Sequence, residues 1–215
     1  MVVDGAMLPF DIPAGTSLEK VVTEVVPAAH AKLVPASAGR ERVTVALELT
    51  GAGRWVIDLD GASMKVREGD EKSPDIRITA RGEDAQAFLD DWTGPRNFTP
   101  KGKPPTDMLL SDPRVLKRVK MVTGTIELSI RDFDGAGDTH KAGITVSVGG
   151  PAKKVEPDPD VTVETSMATY RRMLGANMSP EDALADGDVK VAGKRLVAMQ
   201  FAFAVGPLFP PKKGG

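Results

Sequence analysis

The chain has 215 residues, and its 28 Lys and Arg against 30 Asp and Glu give a formal net charge of −2. That balance excludes the basic excess of a nucleic-acid binder, and 41% hydrophobic residues exclude disorder over the bulk of the chain. Cysteine is absent and histidine occurs only at His30 and His140, which removes disulfide frameworks, cysteine nucleophiles, thiolate-held metals and histidine-rich metal sites.

The first ten residues have no basic segment and carry Asp4 early, so no signal peptide is expected. No apolar run approaches the ~18 residues of a membrane span. The expectation is a soluble, cytoplasmic protein. Thr16-Ser17-Leu18-Glu19 predicts a capping box with Thr16 as cap. Behind it Leu18, Val21, Val22, Val25 and Val26 form the apolar stripe of a helix. Pro27 should end or kink that helix, with a second helical piece running to Leu33.

Strand patterns follow. Val43, Val45, Leu47 and Leu49 alternate with smaller or polar residues. Trp55, Ile57 and Leu59 do the same after the Gly51-Ala-Gly53 turn. Met64 with Val66 and then Ile76 with Ile78 predict two more strands. Ala85, Phe88 and Leu89 predict a helix, residues 93–106 a loop rich in Gly and Pro, and Asp112-Pro113 opens a short basic helix through Val119.

The order then recurs. Ile126, Leu128 and Ile130 form one strand pattern, and Ile144, Val146 and Val148 another. Pro159-Asp-Val-Thr-Val163 parallels Pro74-Asp-Ile-Arg-Ile78 at an offset of 85 residues, and Met173-Leu174 falls opposite Phe88-Leu89 at the same offset. Helices are predicted over 167–174 and from Ser179-Pro180, with Ser179 as cap and Pro180 as the first helical residue. The matching order predicts two related modules, residues 1–123 and 124–206, followed by a flexible tail, 207–215.

The segment from Asn177 to Lys194, with Ser179-Pro180-Glu-Asp-Ala183-Leu184 and then Gly187-Asp-Val-Lys-Val-Ala-Gly193, resembles the closing motif of the sterol carrier protein family. Residues 125–205 resemble most of one such module. Residues 17–91 resemble the leading helix, strands and next helix of another, whose closure departs from the motif after Trp92. The resemblance implies an α+β fold, a curved, mostly antiparallel sheet covered by helices, with a hydrophobic tunnel between the layers. It implies a non-catalytic carrier of a fatty acyl or sterol-like ligand, with no cofactor and no catalytic residue to transfer. A scaffold or protein-interaction module of the same fold, with no ligand, is the alternative. Transient membrane contact and a protein partner are compatible with both.

Leu196 to Val205 reads as a strand by alternation, yet Leu196, Met199 and Phe203 also fit helical spacing. Periodicity leaves both open, and the resemblance favours a helix. The expected pocket lining is Met173, Leu174, Met178, Leu184, Leu196, Met199 and Phe203, with flexible Met side chains suited to apolar ligands. Asp132-Phe-Asp134-Gly-Ala-Gly-Asp138 lacks the later ligands of a calcium loop and reads as a hairpin turn. Gly187 to Gly193 lacks phosphate-loop spacing, so its glycines are expected to serve turns at either end of a short strand. No serine-hydrolase elbow occurs. His30 and His140 read as surface residues, Asp58/Asp60 and Asp90/Asp91 as solvated pairs, and Lys117, Arg118 and Lys120 as a solvated helix face that could touch anionic lipid headgroups.

Overall fold

The computed structural model describes residues 12–13, 15–34, 42–61, 63–93, 113–132, 141–148, 158–174 and 178–205. Among the described residues are eight strands, in consecutive runs of four, three and one, with helices before, between and after the runs. The strands are β1 (Arg42–Thr50), β2 (Gly53–Asp60), β3 (Ser63–Glu68), β4 (Ile76–Arg81), β5 (Gly124–Arg131), β6 (Lys141–Val148), β7 (Val161–Ser166) and β8 (Val189–Gly193). The helices are α1 (Leu18–Lys20), a widened π turn (Val21–Val25), α2 (Val26–Leu33), α3 (Gly82–Thr93), α4 (Pro113–Lys120), α5 (Met167–Leu174), α6 (Pro180–Ala185) and α7 (Arg195–Val205). The fold is α+β, as expected; the strand patterns read before residue 165 are strands, and of the two readings of Leu196 to Val205 the helix is the one formed. The predicted loop beyond Thr93, the hairpin turn beyond Asp132, Gly149–Pro151 and the tail lie outside the described residues.

The strands form one sheet in the order β3-β2-β1-β4-β6-β5-β7-β8. Neighbours are antiparallel except β1 with β4 and β5 with β7. Register explains why one face is apolar. Val45 pairs with Ile57 and Ile76, Ile78 with Val146, Val146 with Ile126, and Ile126 with Val161. Period-two alternation keeps all of these on the same side. Among the described residues four hydrophobic clusters form there, under side chains of α1, the π turn, α3, α4, α5, α6 and α7. The other side carries Glu48–Arg54, Asp58–Arg67 and Glu164–Arg131 ion pairs.

The two halves repeat one local device. Asp75 Oδ2 accepts a hydrogen bond from Thr44 N at 2.8 Å, and Asp160 Oδ2 accepts one from Thr125 N at 2.9 Å. Each aspartate thereby clasps the open end of a parallel pair, β1–β4 in the first half and β5–β7 in the second. Each also meets a lysine, Lys120 for Asp75 and Lys194 for Asp160. The halves are not separate in the sheet, because β4 and β6 pair antiparallel from Ile76↔Val148 to Ala80↔Ile144. Above that seam Phe88 of α3 meets Tyr170 of α5 edge-on, with ring centroids 5.8 Å apart.

Three local expectations are corrected. Ser17, not Thr16, caps α1 by accepting from Lys20 N, while the Thr16 hydroxyl donates to Pro13 O. Pro27 does not end the helix. Val26 N donates to Val21 O across a π turn, and Pro27 then sits in the first turn of α2, where its missing N–H costs little. His30 is buried rather than a surface residue, because it lies beside Ala29 on the inner side of α2. Ser179 caps α6 as expected, accepting from Asp182 N at 3.1 Å, with Pro180 next.

Candidate apolar ligand site

The C-terminal helix α7 lies over the second half of the sheet. Its inner side presents Val197, Ala198, Phe201 and Ala204 to Ile126, Val148, Val161 and Val163, in one cluster with Val115, Val119 and Val122 from α4 and the chain that follows it. Val197 and Ala204 are fully packed, whereas Ala198, Phe201, Val146 and Val163 are half-buried. Sequence reasoning passed over Phe201 and Ala198, although their spacing with Val197 and Ala204 is a helical stripe of its own. At its start α7 is seated tightly, since a Cβ on Gly124 would approach Val197 Cγ1 to 2.8 Å. Gly187 and Gly193 have φ of +79° and +105°, so both glycines of the closing motif do serve turns at the ends of β8.

The seven residues expected to line a pocket do not converge. Met173 and Met178 meet in a smaller cluster with Ala183, Val189 and Val163, where α5 and α6 cover β7 and β8. The Leu174 side chain lies outside the described residues. Leu184, Leu196, Met199 and Phe203 are exposed, the last three along the outer side of α7. The helix is present as expected, but its Leu/Met/Phe stripe faces solvent and its Val/Ala/Phe stripe faces the sheet.

Two carboxylate–arginine contacts in the first half of the chain shift titration. The hydrogen bond from Arg77 holds Asp70 below the ordinary carboxylate range, with the Glu71 N–H and the Arg77 and Arg54 charges adding to it against partial burial. Hydrogen bonds to the buried Asp84 raise Arg81 above its usual value, through contacts of 2.8 Å from Nε and Nη2. Both are clasps at the surface of the sheet and at the first turn of α3. Among the described residues no group of three His, Asp or Glu is arranged to hold a metal ion, and no helix is long and apolar enough to cross a membrane.

Residues 106–205 match the SCP-2 sterol transfer family. The match begins upstream of α4 and ends with α7, so it takes in both helices over the apolar layer. Solved structures of sterol carrier proteins are similar to part of this chain. Sterol carrier protein 2 like 2 from Aedes aegypti is 20% identical, with a TM-score of 0.30, over 41% of this chain and 91% of that one. The second sterol carrier protein domain of Helicoverpa armigera is 18% identical, with a TM-score of 0.33, over 47% and 78%. Sterol carrier protein 2 from Yarrowia lipolytica, in its apo form, is 18% identical, with a TM-score of 0.31, over 44% and 73%. No curated protein matches the chain. The sterol-transfer match carries lipid binding or transfer as the general class of function.

Proposed function

We propose that the C-terminal half is a non-catalytic lipid-carrier module that holds a fatty acyl or sterol-like body between its helical layer and the sheet. The observation that carries this reading is the coincidence of the sterol-transfer match with the half-buried apolar layer of Ala198, Phe201, Val146 and Val163. A ligand entering there would lie along the inner side of α7 and reach Met173 and Met178 past Val163. Leu174 and Leu184 are retained as proposed lining residues, while Leu196, Met199 and Phe203 would join the lining if α7 rolled about its axis on opening. Burying ~300 Å² of apolar ligand surface is worth roughly 7 kcal/mol before association costs, so no polar anchor is required. We further propose that residues 1–123 and 124–206 are related modules, supported by the equivalent Asp75 and Asp160 clasps.

The scaffold reading has one observation in its favour, the close seating of Val197 against Gly124, which suits a filled core. Uptake of a fluorescent fatty acid separates the two. Phe201→Trp, on the inner side, should lower uptake at least several-fold with the fold retained by circular dichroism. Wild-type protein that takes up no fatty acid or sterol, and yields no co-purified lipid by native mass spectrometry, would establish the scaffold reading instead.

A further inference from the structure

Helix α7 is apolar on two sides. The inner side is in the core. The outer side carries Leu196, Met199 and Phe203 at i, i+3 and i+7, which places them in one ridge, and they stand 68%, 60% and 73% exposed. A helix that is apolar all round is ordinarily covered all round, and contiguous apolar surface of this kind marks an interaction site.

Helix α4 supplies the flank of the ridge. Arg118 lies over the Phe203 ring, 5.5 Å from its centroid, and Gly124 abuts Val197. The chain between these two points therefore runs beside α7, and it includes Met121, which is 75% exposed. The charge of this face has one sign. Residues 113–121 and 194–205 contain no acid, in a chain with more acids than bases. Lys120 and Lys194 are engaged with Asp75 and Asp160, while Lys117 and Arg195 are exposed at the rim.

We propose that the α4–α7 face docks on an anionic phospholipid surface, with the ridge at the acyl boundary and Lys117, Arg118 and Arg195 at the phosphates. An apolar ridge rimmed by cations fits that surface on both counts. It does not fit a second copy, since two such faces would bring Lys117, Arg118 and Arg195 of both copies together, while the nearby Asp75 and Asp160 are engaged by Lys120 and Lys194. Docking needs no bound ligand, so it stands or falls apart from the carrier reading.

The test is co-sedimentation with vesicles of phosphatidylcholine alone and of phosphatidylcholine with phosphatidylglycerol, at low and high salt. The protein should bind the anionic vesicles and be released by salt. Lys117→Glu and Arg118→Glu should each weaken binding about 5-fold or more, and Phe203→Asp about 10-fold, while Lys65→Glu on the distant edge strand leaves it unchanged. Urea midpoints check that each variant is folded. If Phe203→Asp proves unstable, the two α4 charge reversals decide alone. Equal binding to uncharged vesicles, no vesicle binding, or insensitivity to the α4 reversals would overturn the proposal. So would a lipid-free dimer that Phe203→Asp dissociates, which would assign the ridge to a second copy. Fatty-acid uptake is read separately and reports only on the carrier.

Discussion

Gly193 is the residue at which the closing motif tolerates least. Its φ is +105°, and a Cβ there would collide with the Asp160 carbonyl oxygen, a backbone atom that cannot swing away. Gly193→Ala should cost about 3 kcal/mol, combining positive-φ strain with the clash. Gly51→Ala, at φ +84° with open space around it, should cost about 1 kcal/mol. Urea midpoints of the two variants check the difference. The need for a turn glycine was legible in the sequence. The Asp160 contact was not, because no local pattern reports a partner in another strand. The Asp70–Arg77 contact of 2.9 Å makes a pH prediction. Asp70 is held below its unfolded value, so its contribution is present above about pH 4 and is lost as pH falls through the folded value. Asp70 is half exposed to solvent, which limits the pair to ~0.5 kcal/mol. Arg77→Met should therefore flatten the decline of stability below about pH 4, read from urea midpoints across that range. An unchanged slope would show that the pair contributes nothing.

At the scale of elements, α7 shows where pattern reading stops. Leu196, Met199 and Phe203 share a helical spacing, and they do form one side of the helix. Val197, Phe201 and Ala204 have an equally good claim to a helical face, and only the sheet beneath decides between them. Sequence contains both stripes but not the direction of the core. The same holds for Pro27, whose place in a helix depends on a π turn that no residue type announces. The inner and outer sides of α7 can be told apart by truncation. Val197→Ala removes methyl groups packed in the core and should cost about 1–2 kcal/mol. Leu196→Ala removes an exposed side chain and should change stability by less than about 0.5 kcal/mol. Thermal or urea denaturation measures both, and equal costs would mean that α7 is not seated on its Val/Ala/Phe side.

At the scale of the molecule, the repeated order of strands was legible because alternation and the Pro-Asp signal occur twice in the chain. How the halves join was not, since β4 and β6 are far apart in sequence and carry nothing that names each other as partners. Their pairing turns two four-stranded units into one sheet. Ile76 and Val148 sit on either side of that seam and belong to the same hydrophobic cluster as Val43 in the first half and Val161 in the second. Unfolding either half alone would expose this shared cluster and leave a hydrophobic strand edge unpaired, which is costly and prone to aggregation. The two halves should therefore unfold together. Tryptophan fluorescence reports on the first half, where Trp55 is buried and where Trp92, the second of the chain's two tryptophans, also lies. Amide exchange along β5 and β7 reports on the second half. In urea both signals should lose their native values at one midpoint, as for a single cooperative unit. Two separated midpoints would show that the β4–β6 seam couples the halves weakly, and that each carries a core sufficient for its own stability.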